Sequence, residues 1–77
     1  MQVVYSNHWK KKQKTKKKDI TDDMIEYAIS SSQPSRDKHW DNVLNAIARI
    51  PPSGRILKVV YKITEQKKFV LTAFWLD

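Results

Sequence analysis

Cysteine is absent from the 77-residue chain, which excludes disulfides, thiolate metal sites and cysteine nucleophiles. Glycine occurs once, at Gly54, so no glycine-rich loop can cradle the phosphates of a nucleotide cofactor. Two histidines, His8 and His39, are too few for a dedicated zinc site. The longest apolar run is four residues, Ala73 to Leu76, against the roughly 20 that a membrane helix needs. No apolar stretch after Met1 reads as a signal peptide. The chain is therefore expected to be soluble and cytoplasmic, with no membrane partner, no metal and no small-molecule cofactor. Acidic residues are missing from residues 1–18, and this last absence shapes the rest of the reading.

The 77 residues allow one domain, spanning 1–77. At ordinary per-residue values its stability is about 4–12 kcal/mol. Hydrophobic residues make up 40% and eight residues are aromatic, enough for one core and too many for a disordered chain. The net charge of +7 is unevenly placed. Lys10, Lys11, Lys12, Lys14, Lys16, Lys17 and Lys18 supply all of it, because the eight basic and eight acidic residues of 19–77 cancel. Such a run repels itself and costs stability. Its natural counterpart is a polyanion, and the commonest is a nucleic-acid backbone, bound with release of counterions. The plain alternative is a solvated basic face or a frayed loop. An anionic membrane fits poorly, since no apolar residue lies between Trp9 and Ile20 to insert.

Along the chain, Val3-Val4-Tyr5 reads as a first strand, with Ser6-Asn7 as capping side chains after it. The lysine run has good helix propensity and little apolar periodicity. It reads as a helix that touches the core through Trp9, or as an ordered loop. Residues 19–31 predict a helix with Thr21 as N-cap and Asp22 and Asp23 in its first turn. Ile20 and Ile25 fit a hydrophobic staple. Met24, Ile25, Ala28 and Ile29 form the apolar face. The helix is expected to stop in Ser30-Ser31-Ser32 before Pro34, and 32–39 reads as a polar connection.

Residues 40–50 fit two patterns. Trp40, Val43, Leu44 and Ile47 fall at helical spacing, while Leu44, Ala46, Ala48 and Ile50 alternate as in a strand. Pro51-Pro52-Ser53-Gly54 is a turn signal. Ile56 to Ile63 predicts a strand with Leu57, Val59, Tyr61 and Ile63 toward the core and Lys58 and Lys62 on the other side. After a polar loop, Thr64 to Lys68, Phe69 to Trp75 reads as a central strand apolar on both faces. The two strands form an antiparallel hairpin.

The candidate functional residues are basic and aromatic. Arg49 and Arg55 flank the Pro-Pro turn and are expected near one another, with Lys58 and Lys62 on the following strand. A sheet face bearing such groups can hold a phosphate backbone and stack a base. Arg49, Arg55 and Lys58 are also candidates for stabilising the charge that develops on a phosphate during RNA cleavage. His8, beside the lysine run, is the candidate acid or base, because histidine exchanges protons near neutral pH. His39 carries less weight. Lys10, Lys11, Lys12, Lys14, Lys16, Lys17, Lys18 and Lys62 are the candidate phosphate contacts, and Trp75, at a strand end, is a candidate stacking platform. Solvated strand charges and a capping histidine are the bland readings of the same residues.

A strand ending in Ser6-Asn7-His8, a basic stretch, the helix Ile20-Thr-Asp-Asp-Met-Ile-Glu-Tyr-Ala-Ile29, then Pro52-Ser-Gly-Arg-Ile-Leu-Lys-Val-Val-Tyr-Lys62 and Phe69-Val-Leu-Thr-Ala-Phe-Trp75 follow in order. The chain thereby resembles small prokaryotic proteins allied to BrnT-like toxins, in the wider RelE/ParE superfamily. The resemblance implies an α+β fold, β-α-α-β-β-β, with two helices packed on one face of a small antiparallel sheet. It thus implies a strand over 43–50. It also implies a toxin of a toxin–antitoxin pair. Its expected partners are RNA, often ribosome-bound mRNA, and a cognate acidic antitoxin. The implied activity is metal-independent mRNA cleavage or translation inhibition. Arg55 matches the Gly-Arg position, and Lys58 shares its strand. Phe74 stands where BrnT-like toxins carry an arginine, and the terminal His, Tyr or Arg of many RelE-like nucleases has no clear match. The sequence therefore leaves open whether the chain is an enzyme, a non-catalytic nucleic-acid-binding module, or a small domain that binds an acidic protein.

Overall fold

The computed structural model describes residues 2–36, 40 and 42–76. The elements are β1 (Gln2–Tyr5), α1 (Asn7–Thr15), α2 (Asp22–Ser31), β2 (Ser35–Arg36), β3 (Val43–Ile50), β4 (Arg55–Thr64) and β5 (Lys67–Trp75). They form a small α+β unit with one five-stranded sheet in the order β1-β5-β4-β3-β2. β1 runs parallel to β5, and every other pairing is antiparallel.

Alternation sets the inner face. On β3, Leu44, Ala46, Ala48 and Ile50 stand opposite Tyr61, Val59, Leu57 and Arg55 of β4. Ala46, Ile50, Leu57, Val59 and Tyr61 are buried there with Trp9, Ile20, Ile25, Ala28 and Ile29 from the helical half. The strand pattern thus wins over the helical one in 40–50. Trp40 and Ile47, which only the helical spacing would bury, are 69% and 46% exposed. Each large side chain sealed in this core is worth about 1.5–3 kcal/mol relative to exposure.

Both helices begin as their caps dictate. Ser6 Oγ accepts from the Trp9 backbone N–H at 3.0 Å, and Thr21 Oγ1 accepts from that of Met24 at 3.2 Å. These bonds satisfy donors that a helix start leaves free. α1 buries one residue, Trp9. The lysine run is not a frayed loop: it is helical to Thr15, then turns through Lys16–Ile20 on backbone bonds from Lys16 and Lys17 to Lys12 O and from Ile20 to Lys17 O.

Three expectations need correction, and β5 adds a feature that the sequence reading did not address. Ile63 lies on the strand parity of the core but is 44% exposed, because it sits near the end of β4, past Lys62, the last residue that pairs with β3. The connection after α2 holds the short strand β2, paired with Asn45 and Leu44. The β4–β5 loop shrinks to Glu65-Gln66, whose φ values of 49° and 65° describe a two-residue hairpin turn of the type that matches strand twist. Strand pairing therefore reaches Thr64 and Lys67. Finally, β5 contains a bulge. Val60 pairs with Thr72 and Tyr61 with Val70, leaving Leu71 unpaired. The extra residue resets the alternation, so Val70 and Ala73, three apart, both reach the core. His39 lies outside the described residues.

No helix among the described residues is long and apolar enough to cross a membrane.

Candidate nucleic-acid interface

α1 has a simple logic. Trp9 faces the core, and Gln13, one turn on, follows it inward. The Gln13 amide Nε2 donates to Ile20 O at 2.7 Å and to Asp22 Oδ1 at 3.0 Å. These two residues fix the rotation of the helix, so the remaining sides carry the lysines outward. Lys10, Lys11, Lys14, Lys16 and Lys18 are exposed, and Lys12 and Lys17 are half-buried. Among the described residues the single ion pair is Arg55–Asp19, so none of these seven lysines is in direct ion-pair contact with a described carboxylate. Lys12 and Lys14 in the last turn sit where the helix dipole favours cations.

Spacings of three and four residues bring His8, Lys11, Lys12 and Thr15 to one side of the helix. With Lys16 they line a groove of 490 Å³ whose described lining contains no acid. A second groove, 410 Å³, runs between α1 and the start of α2, and there Asp22 and Asp23 oppose Lys14 and Lys18. Of these two grooves the first is the one whose described lining leaves positive charge unopposed, and it holds the only described imidazole. Such a set can bind phosphate oxygens through ammonium groups and move a proton at the imidazole.

The other candidate residues are not gathered with His8. Arg49 and Arg55 do not converge, which corrects the expectation that the turn would join them. Arg55 stands opposite Ile50, on the inner face, whereas Arg49 stands opposite Ile56, on the outer one. Each is engaged locally. Arg49 Nη1 donates to Gly54 O at 2.8 Å across the turn. Arg55 lies 4.1 Å from the centroid of the Trp75 ring and 3.7 Å from Asp19 Oδ2, which also accepts from Trp75 Nε1 at 2.8 Å. Trp75 is thus a strut between the sheet and the α1–α2 turn, its ring taken by Arg55, and not a free platform. Lys58 and Lys62 lie on the outer sheet face, away from α1. There they sit over Phe74 and Phe69, at 5.7 and 5.5 Å from the ring centroids.

Asp19 was legible in the sequence only as the end of the lysine run, with nothing to mark it as the partner of residues 36 and 56 positions away. Phe69 was equally hidden. Five residues from Phe74, it shares that residue's face only because of the bulge. Among the described residues no three metal-ligating side chains cluster.

The chain matches no family model, and comparison with curated proteins and with solved structures returns no match either.

Proposed function

We propose that this protein is an RNA-directed, toxin-like component of a toxin–antitoxin pair, with the cationic side of α1 as its working surface. The observation that carries the proposal is the groove in which His8 lies beside Lys11, Lys12 and Lys16, with no acid among the described lining residues. The ammonium groups would hold the backbone, and His8 would take the proton from a ribose 2′-hydroxyl. The 2′-oxygen then bonds to phosphorus while the bond from phosphorus to the 5′-oxygen breaks. The histidinium returns its proton to that oxygen, leaving a 2′,3′-cyclic phosphate and a 5′-hydroxyl. Lysines beside the phosphate stabilise the charge that builds on it.

The fold half of the proposal is a RelE-like, BrnT-like architecture. It is supported by the succession of one strand, two helices and an antiparallel run whose last strand lies beside the first. The two-residue β2 is an addition to that pattern.

A non-catalytic RNA-binding module is the second reading. It is favoured by the absence of Arg49, Arg55 and Lys58 from the groove, which leaves His8 the one imidazole or carboxyl group among its described lining residues. The test is induced expression with growth followed, together with purified protein incubated with mRNA and ribosomes. The toxin reading expects growth arrest, rescue by the product of an adjacent short gene, and cleavage that His8→Gln removes while RNA binding stays. Binding without arrest or cleavage selects the module. Absence of RNA binding, with tight binding of an acidic protein, overturns both.

A further inference from the structure

The outer face of the sheet carries two repeats of one arrangement. Lys62 stands opposite Phe69, and Lys58 stands opposite Phe74. In each pair the ammonium rests over the ring, at 5.5 and 5.7 Å from its centroid. Residues five apart on a regular strand point to opposite faces. The bulge at Leu71 removes one step of alternation and sends both phenylalanines outward. Lys58 and Lys62 are four residues apart on β4, about 13 Å at the usual strand rise. Arg49 shares this face, and no acid of the described residues does: Asp19, Asp22, Asp23 and Glu26 lie on the helical side, and Glu65 is in the turn. Among the described residues no element covers the face. Its rings are half-buried, held in place by their neighbours with a surface left open.

We infer that the outer sheet face is a second RNA surface, made of two nucleotide subsites, that takes single-stranded RNA by its bases. In each subsite the phenylalanine ring receives a base, and the lysine now resting on that ring moves to the flanking phosphate. This rests on the RNA reading above and adds the substrate class: a strand whose bases are unstacked, since paired bases cannot reach a ring on a flat sheet. The α1 surface grips backbone charge and is indifferent to bases. The outer face is the part that distinguishes single strands from duplexes and from bare sugar-phosphate.

The experiment compares three fluorescent probes of equal length: oligoadenylate, an abasic ribose-phosphate strand, and an RNA duplex. Phe69→Leu and Phe74→Leu keep apolar bulk and remove the ring, and thermal melts confirm that each variant folds. The wild-type protein is expected to bind oligoadenylate more tightly than the abasic strand. Each Leu variant is expected to lose roughly 5- to 150-fold in affinity for oligoadenylate, the range for deleting one stacking contact, with affinity for the abasic strand unchanged. Phe74→Trp is expected to keep base-dependent binding. Neutralising Lys11, Lys12 and Lys16 together is expected to weaken all three probes alike. If the Leu variants match wild type on every probe, or weaken all probes equally, the inference is overturned and the face serves another class of partner, such as a protein. If wild type binds no probe, the α1 reading falls first.

Discussion

Replacing Trp9 by alanine is the severest test of how α1 is held. Trp9 is the helix's one buried residue and is fully enclosed. Core Trp→Ala changes cost about 3–5 kcal/mol, against a total of about 4–12 kcal/mol for a domain of this length. A nine-residue helix is too short to persist alone in water, and the mutual repulsion of its four lysines, with three more just beyond its end, opposes it further. The variant should therefore lose α1 as a unit and much of its overall stability. Trp9→Phe should behave differently. It forfeits part of the ring packing, a loss of about 1–3 kcal/mol. It also removes an indole Nε1 that is buried with no hydrogen-bond partner among the described residues, a burden of about 1–3 kcal/mol. The two nearly cancel, so Trp9→Phe should fall within about 1 kcal/mol of wild type. Urea unfolding followed by circular dichroism measures both. A Trp9→Ala protein with unchanged midpoint and unchanged helicity would refute the docking of α1 through this residue.

Three smaller effects are expected. Gln66 has φ 65° without being glycine, so Gln66→Gly should stabilise the hairpin by about 1 kcal/mol, read as a higher urea midpoint; a lower midpoint contradicts the turn assignment. Thr72 Oγ1 is buried with no partner among the described residues, so the near-isosteric Thr72→Val should stabilise by about 1 kcal/mol, and a loss of that size would show a bond that the geometry lacks. Burial, first, and the bond its hydroxyl donates to Glu26, second, push the Tyr5 phenol well above the ordinary tyrosine range; burial raises Tyr61 as well. With folded values above unfolded ones, this stabilisation is complete below about pH 10 and is lost as pH rises through and beyond it. Tyr5→Phe should flatten that alkaline loss in a denaturation series, and an unchanged pH dependence would show that Tyr5 carries none of it.

The sequence carried most of the fold because local signals agreed with tertiary ones. Thr21 with its two aspartates, the Ile20–Ile25 staple and the alternation of Leu57, Val59 and Tyr61 each demand what the packing also demands. Where two periods fitted, at 40–50, composition alone was silent, and the strand is selected by the partner it finds in β4. The bulge left no mark, since Phe69 to Trp75 is apolar at nearly every position and any register buries something. For the same reason the outward pair Phe69 and Phe74 was unreadable. The site was half legible. Charge counting located the α1 lysines, and helical spacing places His8 among them. Proximity in sequence misplaced Arg49 and Arg55, because neighbours across a turn that differ by one register step face opposite sides of a sheet.

The salt dependence of RNA binding tests the central claim most directly. If about four α1 lysines contact a single strand, log K should fall against log salt with a slope near −3. Neutralising Lys11, Lys12 and Lys16 should make that slope shallower by about 2. A slope that those substitutions leave unchanged, or no binding at low salt, would contradict the assignment of α1 as the RNA-gripping surface.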